Sequence, residues 1–215
     1  KAVKQAIKSG DQEALEAILY SDEFIQVSVF STVLKTLDLF ENKEIMGRPL
    51  AWAFGELPLE VYPRARPGLN ALYHRPSRNL RFYYQDYPPD SPGAAPRRVY
   101  TCLSRDVIAH ETGHAIIDGI EPGLLDAIGP HPRAIHEGLA DLVSVLLAFK
   151  SDTLSKFTLS QYRGSILDAT AFSNIAEQIG PLLNSKDEPL RVLINEVHLD
   201  PNNPQGYASP EQPYE

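Results

Sequence analysis

Residues 110–114 constrain this chain more than any other stretch, because they read His-Glu-Thr-Gly-His within a segment of helical spacing. On an α-helix, residues i and i+4 lie on one face, so His110 and His114 would present two imidazoles to one point. That arrangement supplies two corners of a tetrahedral zinc site. Glu111 lies beside the metal position, where a general base for a water molecule is needed.

The residues around this motif favour a helix. Ser104 or Thr101 is available to cap its start, and Gly119 followed by Pro122 and Gly123 marks its end. Apolar residues recur at helical spacing on both sides of the motif, namely Leu103, Val107, Ile108, Ala115 and Ile116. The alternative is a buried helix whose two histidines are satisfied by hydrogen bonds.

The segment 134–149 offers a third ligand. It is an apolar helical pattern interrupted by Glu137 and Asp141, which are four residues apart and therefore on one face. An acid pair is costly to bury without partners. A zinc ion would partner Glu137, and the ring N–H of a ligand imidazole would partner Asp141. The alternative is that both carboxylates face solvent on an amphipathic helix.

The pattern H-E-x-x-H followed by E-x-x-x-D resembles the gluzincin metallopeptidases, and within them the thermolysin-like group. The resemblance implies that His110, His114 and Glu137 bind one zinc ion. It implies that Glu111 is the catalytic base and that Asp141 orients His110. The segment 106–109 also resembles the family, and the whole resemblance spans roughly residues 25 to 150.

A second segment resembles a different part of the same family. The stretch Gly68-Leu69-Asn70-Ala71-Leu72-Tyr73 looks like the family's Asn-Ala edge strand, which binds the substrate backbone. The resemblance therefore implies that Asn70 and Ala71 bind substrate. The fold that it implies is zincin-like, with a peptide or protein as the partner molecule.

Three features depart from the family pattern. Where these enzymes carry a tyrosine that helps to hold the oxyanion, this chain has Asp126. Their late histidine has a counterpart by position in His198, but its surroundings differ from the family segment. The apolar run 143–149 replaces their acidic calcium cluster, which argues against a calcium site. His131 and His136 are further histidines near the site, and either is a candidate donor to a substrate oxyanion.

Composition limits the other classes of partner. The 215 residues carry a net charge of −8 and no long basic run, which argues against nucleic acid. The single cysteine, Cys102, excludes an internal disulfide. No apolar run reaches membrane-spanning length and no signal-peptide pattern opens the chain, so a soluble protein is expected. The sequence leaves the compartment and the oligomeric state open.

The chain in order predicts three parts. Residues 1–45 form an N-terminal helical segment, with one or two short helices in 1–20 and a longer helix over 24–41. Asp11 is available to cap the second short helix. The apolar stripe of that longer helix is Val29, Phe30, Val33, Leu34, Leu37 and Phe40. Residues 46–150 form the zincin catalytic core, and residues 151–215 form a helical part that ends in a loose proline-rich tail.

Within the core, strands are predicted at 57–62, 69–74 and 80–84, with a hairpin turn at 75–79. The proline-rich stretch 87–98 is expected to be irregular, and 120–133 is expected to be the turn between the two zinc helices. Beyond residue 150, the segment 175–183 reads as helix and 190–197 as either helix or strand.

The sequence thus predicts an α+β fold in which a small, twisted, mostly antiparallel sheet packs on the His-Glu-x-x-His helix. The predicted function is that of a zinc metallopeptidase, an endopeptidase with Glu111 as general base. The alternatives are a zincin-fold binding protein with weak or no catalysis, and a hydrolase of non-peptide amides. A missing C-terminal helical segment would explain both the absent late histidine and the loose tail.

Overall fold

The computed structural model describes residues 2–88 and 97–161, together with two short strand pieces at 174–175 and 191–192. Three helices come first: α1 (Ala2–Ser9), α2 (Gln12–Leu19) and α3 (Asp22–Glu41). Asp11 caps α2 by accepting a 2.9 Å hydrogen bond from the Ala14 N–H. The prediction of one or two short helices before a long one is confirmed, with two present, and so is the cap.

The buried face of α3 differs from the predicted stripe. Phe30 and Leu34 are 61% and 47% exposed, whereas two threonines, Thr32 and Thr36, are buried. Each threonine hydroxyl donates to the carbonyl four residues earlier, at 2.9 and 2.8 Å. Because their polar atoms are satisfied within the helix, these side chains can be buried at little cost.

The first sheet has three strands, β1 (Glu60–Tyr62), β2 (Ala71–His74) and β3 (Asn79–Phe82), in the order β1-β3-β2. The strands β2 and β3 pair antiparallel across a short 3-10 turn at Arg75–Ser77, and Arg78 has a φ of 52°. The hairpin predicted at 75–79 is confirmed. The β1–β3 pair is parallel, so the sheet is mixed.

A second, two-stranded antiparallel sheet joins β4 (Tyr84–Tyr87) to β5 (Arg97–Tyr100). The prediction that 87–98 is irregular was wrong at both ends, because Tyr87 lies in β4 and β5 begins at Arg97. Residues 89–96 lie outside the described ranges. An apolar core spans α3, both sheets and the chain from Cys102 to Ile108. Its members are Ile25, Val29, Val33, Leu80, Phe82, Tyr100, Cys102, Val107 and Ile108.

Four helices follow: α4 (Arg105–Ile120), α5 (Gly123–Asp126), α6 (Pro130–Phe149) and α7 (Asp152–Gln161). Helix α4 packs along α6 and also contacts α3 and β2. The turn predicted over 120–133 does bring Glu137 back to α4, although α5 occupies part of it and α6 already starts at Pro130. Proline suits the first position of a helix, where its missing N–H has no partner to lose. Ser104 lies at the N-cap position of α4 but makes no side-chain cap bond.

The last described elements are β6 (Asn174–Ile175) and β7 (Arg191–Val192), which pair antiparallel. Ile175, predicted to begin a helix, lies in β6. The open choice at 190–197 is resolved as strand for residues 191 and 192. The rest of 176–190, His198 and the proline-rich tail lie outside the described residues. Together these elements make an α+β protein.

Among the described residues, no single helix is long and apolar enough to cross a membrane. Helices α2 and α3 pass that test only as a pair, and they are bent by 64° where they meet.

Candidate metal centre

Close packing of α4 on α6 positions the candidate metal-binding side chains. Gly113 lies at this contact: a Cβ there would be 3.1 Å from the Val143 Cβ and 3.3 Å from the Ala140 Cα. The absence of a side chain lets the two backbones approach. The residues on either side of Gly113 in the motif, His110 and His114, consequently face the first turns of α6, where Glu137 lies.

Three ligand atoms converge on one point. The Nε2 atoms of His110 and His114 are 2.9 Å apart. The Glu137 carboxylate places Oε2 at 3.2 Å from the first and Oε1 at 3.5 Å from the second. Zinc bonds of roughly 2.0–2.1 Å in a tetrahedron separate ligand atoms by about 3.3 Å. The observed separations lie on both sides of that value, so these three residues fit a zinc ion with little movement.

His110, Glu111 and His114 alone also form a candidate metal-binding group. One ligand atom of each lies within 4.8 Å of those of the other two, and all three residues are buried. This buried group could hold a metal ion. Imidazole and carboxylate donors together suit zinc and several other divalent metals, so the donor set limits the choice without fixing it.

Asp141 lies where the resemblance predicts. Its Oδ1 is 2.8 Å from His110 Nδ1, on the ring nitrogen that faces away from the convergence point. A carboxylate at Nδ1 fixes the ring orientation and leaves Nε2 for the metal. The alternative that both carboxylates face solvent does not describe Asp141, which is 7% exposed. Glu137 is partly exposed and forms the open side of the cluster.

The carboxylates of the cluster favour positive charge on its imidazoles. Burial works to lower the pKa of His110, but hydrogen bonds to Asp141 and Glu137 outweigh it and raise that pKa to about 9. Burial works to raise the pKa of Glu137, yet its hydrogen bonds to His110 and His114 hold that pKa far below its usual range. The electrostatic field that keeps a proton on His110 equally favours a divalent cation.

Glu111 is buried beside these ligands with one backbone donor. Burial raises the pKa of its carboxyl, against the nearby imidazoles of His114 and His110 and a hydrogen bond from the backbone N–H of Tyr73. A carboxylate with raised proton affinity is suited to accept and return a proton. The bond from Tyr73 also ties this side chain to strand β2.

Asn70 and Ala71 lie at the start of β2, the outer strand of the first sheet. The Asn70 carbonyl accepts a 3.0 Å bond from the Tyr83 N–H, so it faces the neighbouring strand. Because antiparallel pairs alternate, Ala71 and Tyr73 direct their backbone groups to the opposite edge. The Ala71 N–H there donates to the Asn70 side-chain oxygen at 2.9 Å. The strand edge predicted to bind substrate is thus the edge that carries the bond to Glu111.

An ion pair that the sequence does not predict lies next to the site. Asp118 is fully buried on α4, one turn after His114, and accepts from Arg75 Nε at 2.8 Å and from the Tyr73 hydroxyl at 2.7 Å. The Arg75 guanidinium also donates to Asp126 Oδ1 at 2.6 Å. Asp126 stands where thermolysin-like enzymes carry a tyrosine. The sequence offered one signal for this pair: Asp118 is a carboxylate four residues after His114 in an apolar helix, so it needs a partner when buried.

His136 contacts His114, one of the candidate ligands, directly. It is 3% exposed, and its Nδ1 lies 2.7 Å from His114 Nδ1. Burial and the neighbouring His114 lower its pKa to about 4. Its side chain therefore faces a ligand, not a position open to substrate. His131, the other candidate on α6, is exposed in the first turn.

Comparison with known proteins gives no relative: no family model, no curated protein and no solved structure matches this chain.

Proposed function

We propose that this chain is a zinc-dependent metallopeptidase of the gluzincin type, with a zincin-like fold. The observation that carries the proposal is the convergence of His110 Nε2, His114 Nε2 and the Glu137 carboxylate within 3.5 Å of one another. Peptidase chemistry needs one more group, a base beside the metal, and Glu111 is buried next to these ligands.

His110, His114 and Glu137 would hold the ion, and Asp141 would orient His110. A bound zinc ion supplies a more acidic water and polarises the carbonyl under attack. The Glu111 carboxylate accepts the proton of the attacking water and returns it to the nitrogen of the leaving amine. Its raised pKa favours both transfers, because a base with greater proton affinity takes the proton more readily and becomes an acid of suitable strength.

The outer edge of β2 gives the substrate a binding surface. A peptide in extended conformation would add to this edge as a further strand, bonded by main-chain groups near Ala71. Asn70 Oδ1, now bonded to the Ala71 N–H, is an acceptor at the same edge. The bond from Tyr73 N–H to Glu111 keeps the base beside this strand, so that a scissile bond laid along it would lie near the base.

The test measures metal and turnover separately. Purified chain should contain one zinc, and His110→Ala, His114→Ala and Glu137→Ala should each lose most of it. Glu111→Gln should retain zinc but hydrolyse a peptide library about 10²–10⁴-fold more slowly, because the base is gone. Glu121→Gln, at the end of the same helix, is the matched control and should change neither quantity.

Different outcomes favour different functions. Absence of metal from the native protein, with no effect of added zinc, would refute the proposal. Bound zinc without turnover of casein or peptides would favour the zincin-fold binding protein. The observation that supports this alternative is Asp126, which stands where the family carries a tyrosine. Bound zinc with turnover of simple amides alone would favour a non-peptide amide hydrolase.

A further inference from the structure

His136 and His114 make an imidazole–imidazole contact with a defined geometry. Their ring planes differ by 5° and their centroids are 4.7 Å apart, while the two Nδ1 atoms are 2.7 Å apart. Rings stacked face to face would keep their atoms about 3.5 Å apart. The rings therefore meet edge to edge in nearly parallel planes, which suits an N–H···N hydrogen bond between the two Nδ1 atoms.

The metal decides which ring donates. A neutral imidazole has one N–H and one lone pair, and a metal takes the lone pair. His114 Nε2 is one of the three converging atoms, so its lone pair must face the metal and its proton must be on Nδ1. The His136 Nδ1 is then the acceptor. The reverse assignment would put a proton on His114 Nε2 and block it as a ligand.

The same assignment leaves a cost at His136. Its proton is on Nε2, a buried atom that has no hydrogen-bond partner within the described part of the chain. An unpartnered buried N–H is costly, and an apolar side chain of similar size would avoid that cost. Stability of the fold alone therefore does not explain a histidine at position 136. The need for a hydrogen-bond acceptor at His114 Nδ1 does explain it.

We propose that His136 is a positioning residue of the metal centre, whose Nδ1 accepts the His114 Nδ1–H and so holds His114 Nε2 toward the metal. It does for His114 what Asp141 does for His110. The inference rests on the proposed metal site but not on peptide hydrolysis. A partner at the outer nitrogen of a ligand histidine usually contributes about 10–100-fold in metal affinity.

The experiment compares zinc affinity, by competition with a chromogenic chelator, among three variants. His136→Leu keeps much of the volume and removes the acceptor, so it should bind zinc about 10–100-fold more weakly. His136→Asn should recover most of that loss, because its side-chain oxygen is as many bonds from the backbone as Nδ1. His131→Asn, an exposed histidine on the same helix, should match the unaltered chain.

The outcomes separate the two claims. Zinc bound equally well by His136→Leu and the unaltered chain would overturn the inference alone. Equal weakness of the Asn and Leu variants would also overturn it, because packing of the ring would then be the cause. An unaltered chain that binds no zinc would overturn the inference and the proposed function together.

A measurement without any substitution covers the case in which His136→Leu fails to fold. Ring ¹⁵N spectra of the zinc-loaded chain report which nitrogen of each histidine carries the proton. The expected state has protons on Nδ1 of His114 and Nε2 of His136. A proton on Nδ1 of His136 would overturn the inference.

Discussion

Two helical glycines with opposite surroundings give a sharp test of the packing around α4. At Gly119 a Cβ would lie 2.1 Å from the carbonyl oxygen of Ala51 and 3.5 Å from the Trp52 Cα. At Gly138 on α6, no heavy atom lies within 4 Å of the corresponding position. The same substitution, glycine to alanine, should therefore change stability in opposite directions at the two sites.

The magnitudes follow from two terms. Alanine in a helix interior is about 1 kcal/mol more favourable than glycine, which applies to both sites. At Gly119 the contact must also open by about 1 Å, and overpacking of this kind costs about 1–3 kcal/mol. The obstacle is a backbone carbonyl, which cannot rotate away as a side chain could, so the upper half of that range applies. The net loss of unfolding free energy for Gly119→Ala is about 1–2 kcal/mol.

Thermal unfolding in chelator measures both variants without a contribution from metal binding. For a chain of this size, 1 kcal/mol corresponds to about 2–4 °C in Tm. Gly119→Ala should therefore melt about 2–8 °C lower, and Gly138→Ala about 2–4 °C higher, than the unaltered chain. A Gly119→Ala variant that melts at or above the unaltered chain would show that the loop at Ala51 does not press on α4.

Two further predictions concern buried polar groups. Arg75→Met should lower the free energy of unfolding by about 3 kcal/mol, because the fully buried Asp118 loses its cation and keeps a neutral donor, the Tyr73 hydroxyl. Arg98→Met breaks an exposed ion pair and should cost about 0–1 kcal/mol. Equal urea midpoints for these two variants would contradict this reasoning. Burial raises the pKa of the Cys102 thiol to about 12, so iodoacetamide at pH 8 should modify this thiol only after the chain unfolds. Rapid modification of the folded chain would contradict the burial of Cys102.

Much of the candidate metal centre could be predicted from sequence, because its spacing is local. The interval from His110 to His114 places both rings on one face of any α-helix, whatever that helix packs against. Glu137 and Asp141 follow the same rule, and two acids in an apolar helix need partners. The hairpin from β2 to β3 was equally local, since five turn-type residues separate its strands.

Tertiary structure decided what depends on residues far apart in the chain. The pairing of Asp118 with Arg75 spans 43 residues, and neither residue belongs to a motif that predicts the other. The parallel pairing of β1 with β3 likewise has no local signal, because each strand has the same alternation whichever neighbour it pairs with.

The roles of individual side chains near the site also came from packing. His136 is one residue before a predicted ligand, but only the approach of α6 to α4 brings its Nδ1 to His114. Gly119 reads in sequence as the end of a helix, whereas in the fold it is where the Ala51 carbonyl meets α4. Periodicity along a helix fixes which residues share a face, but the neighbour that covers that face is set by the packing of the whole chain.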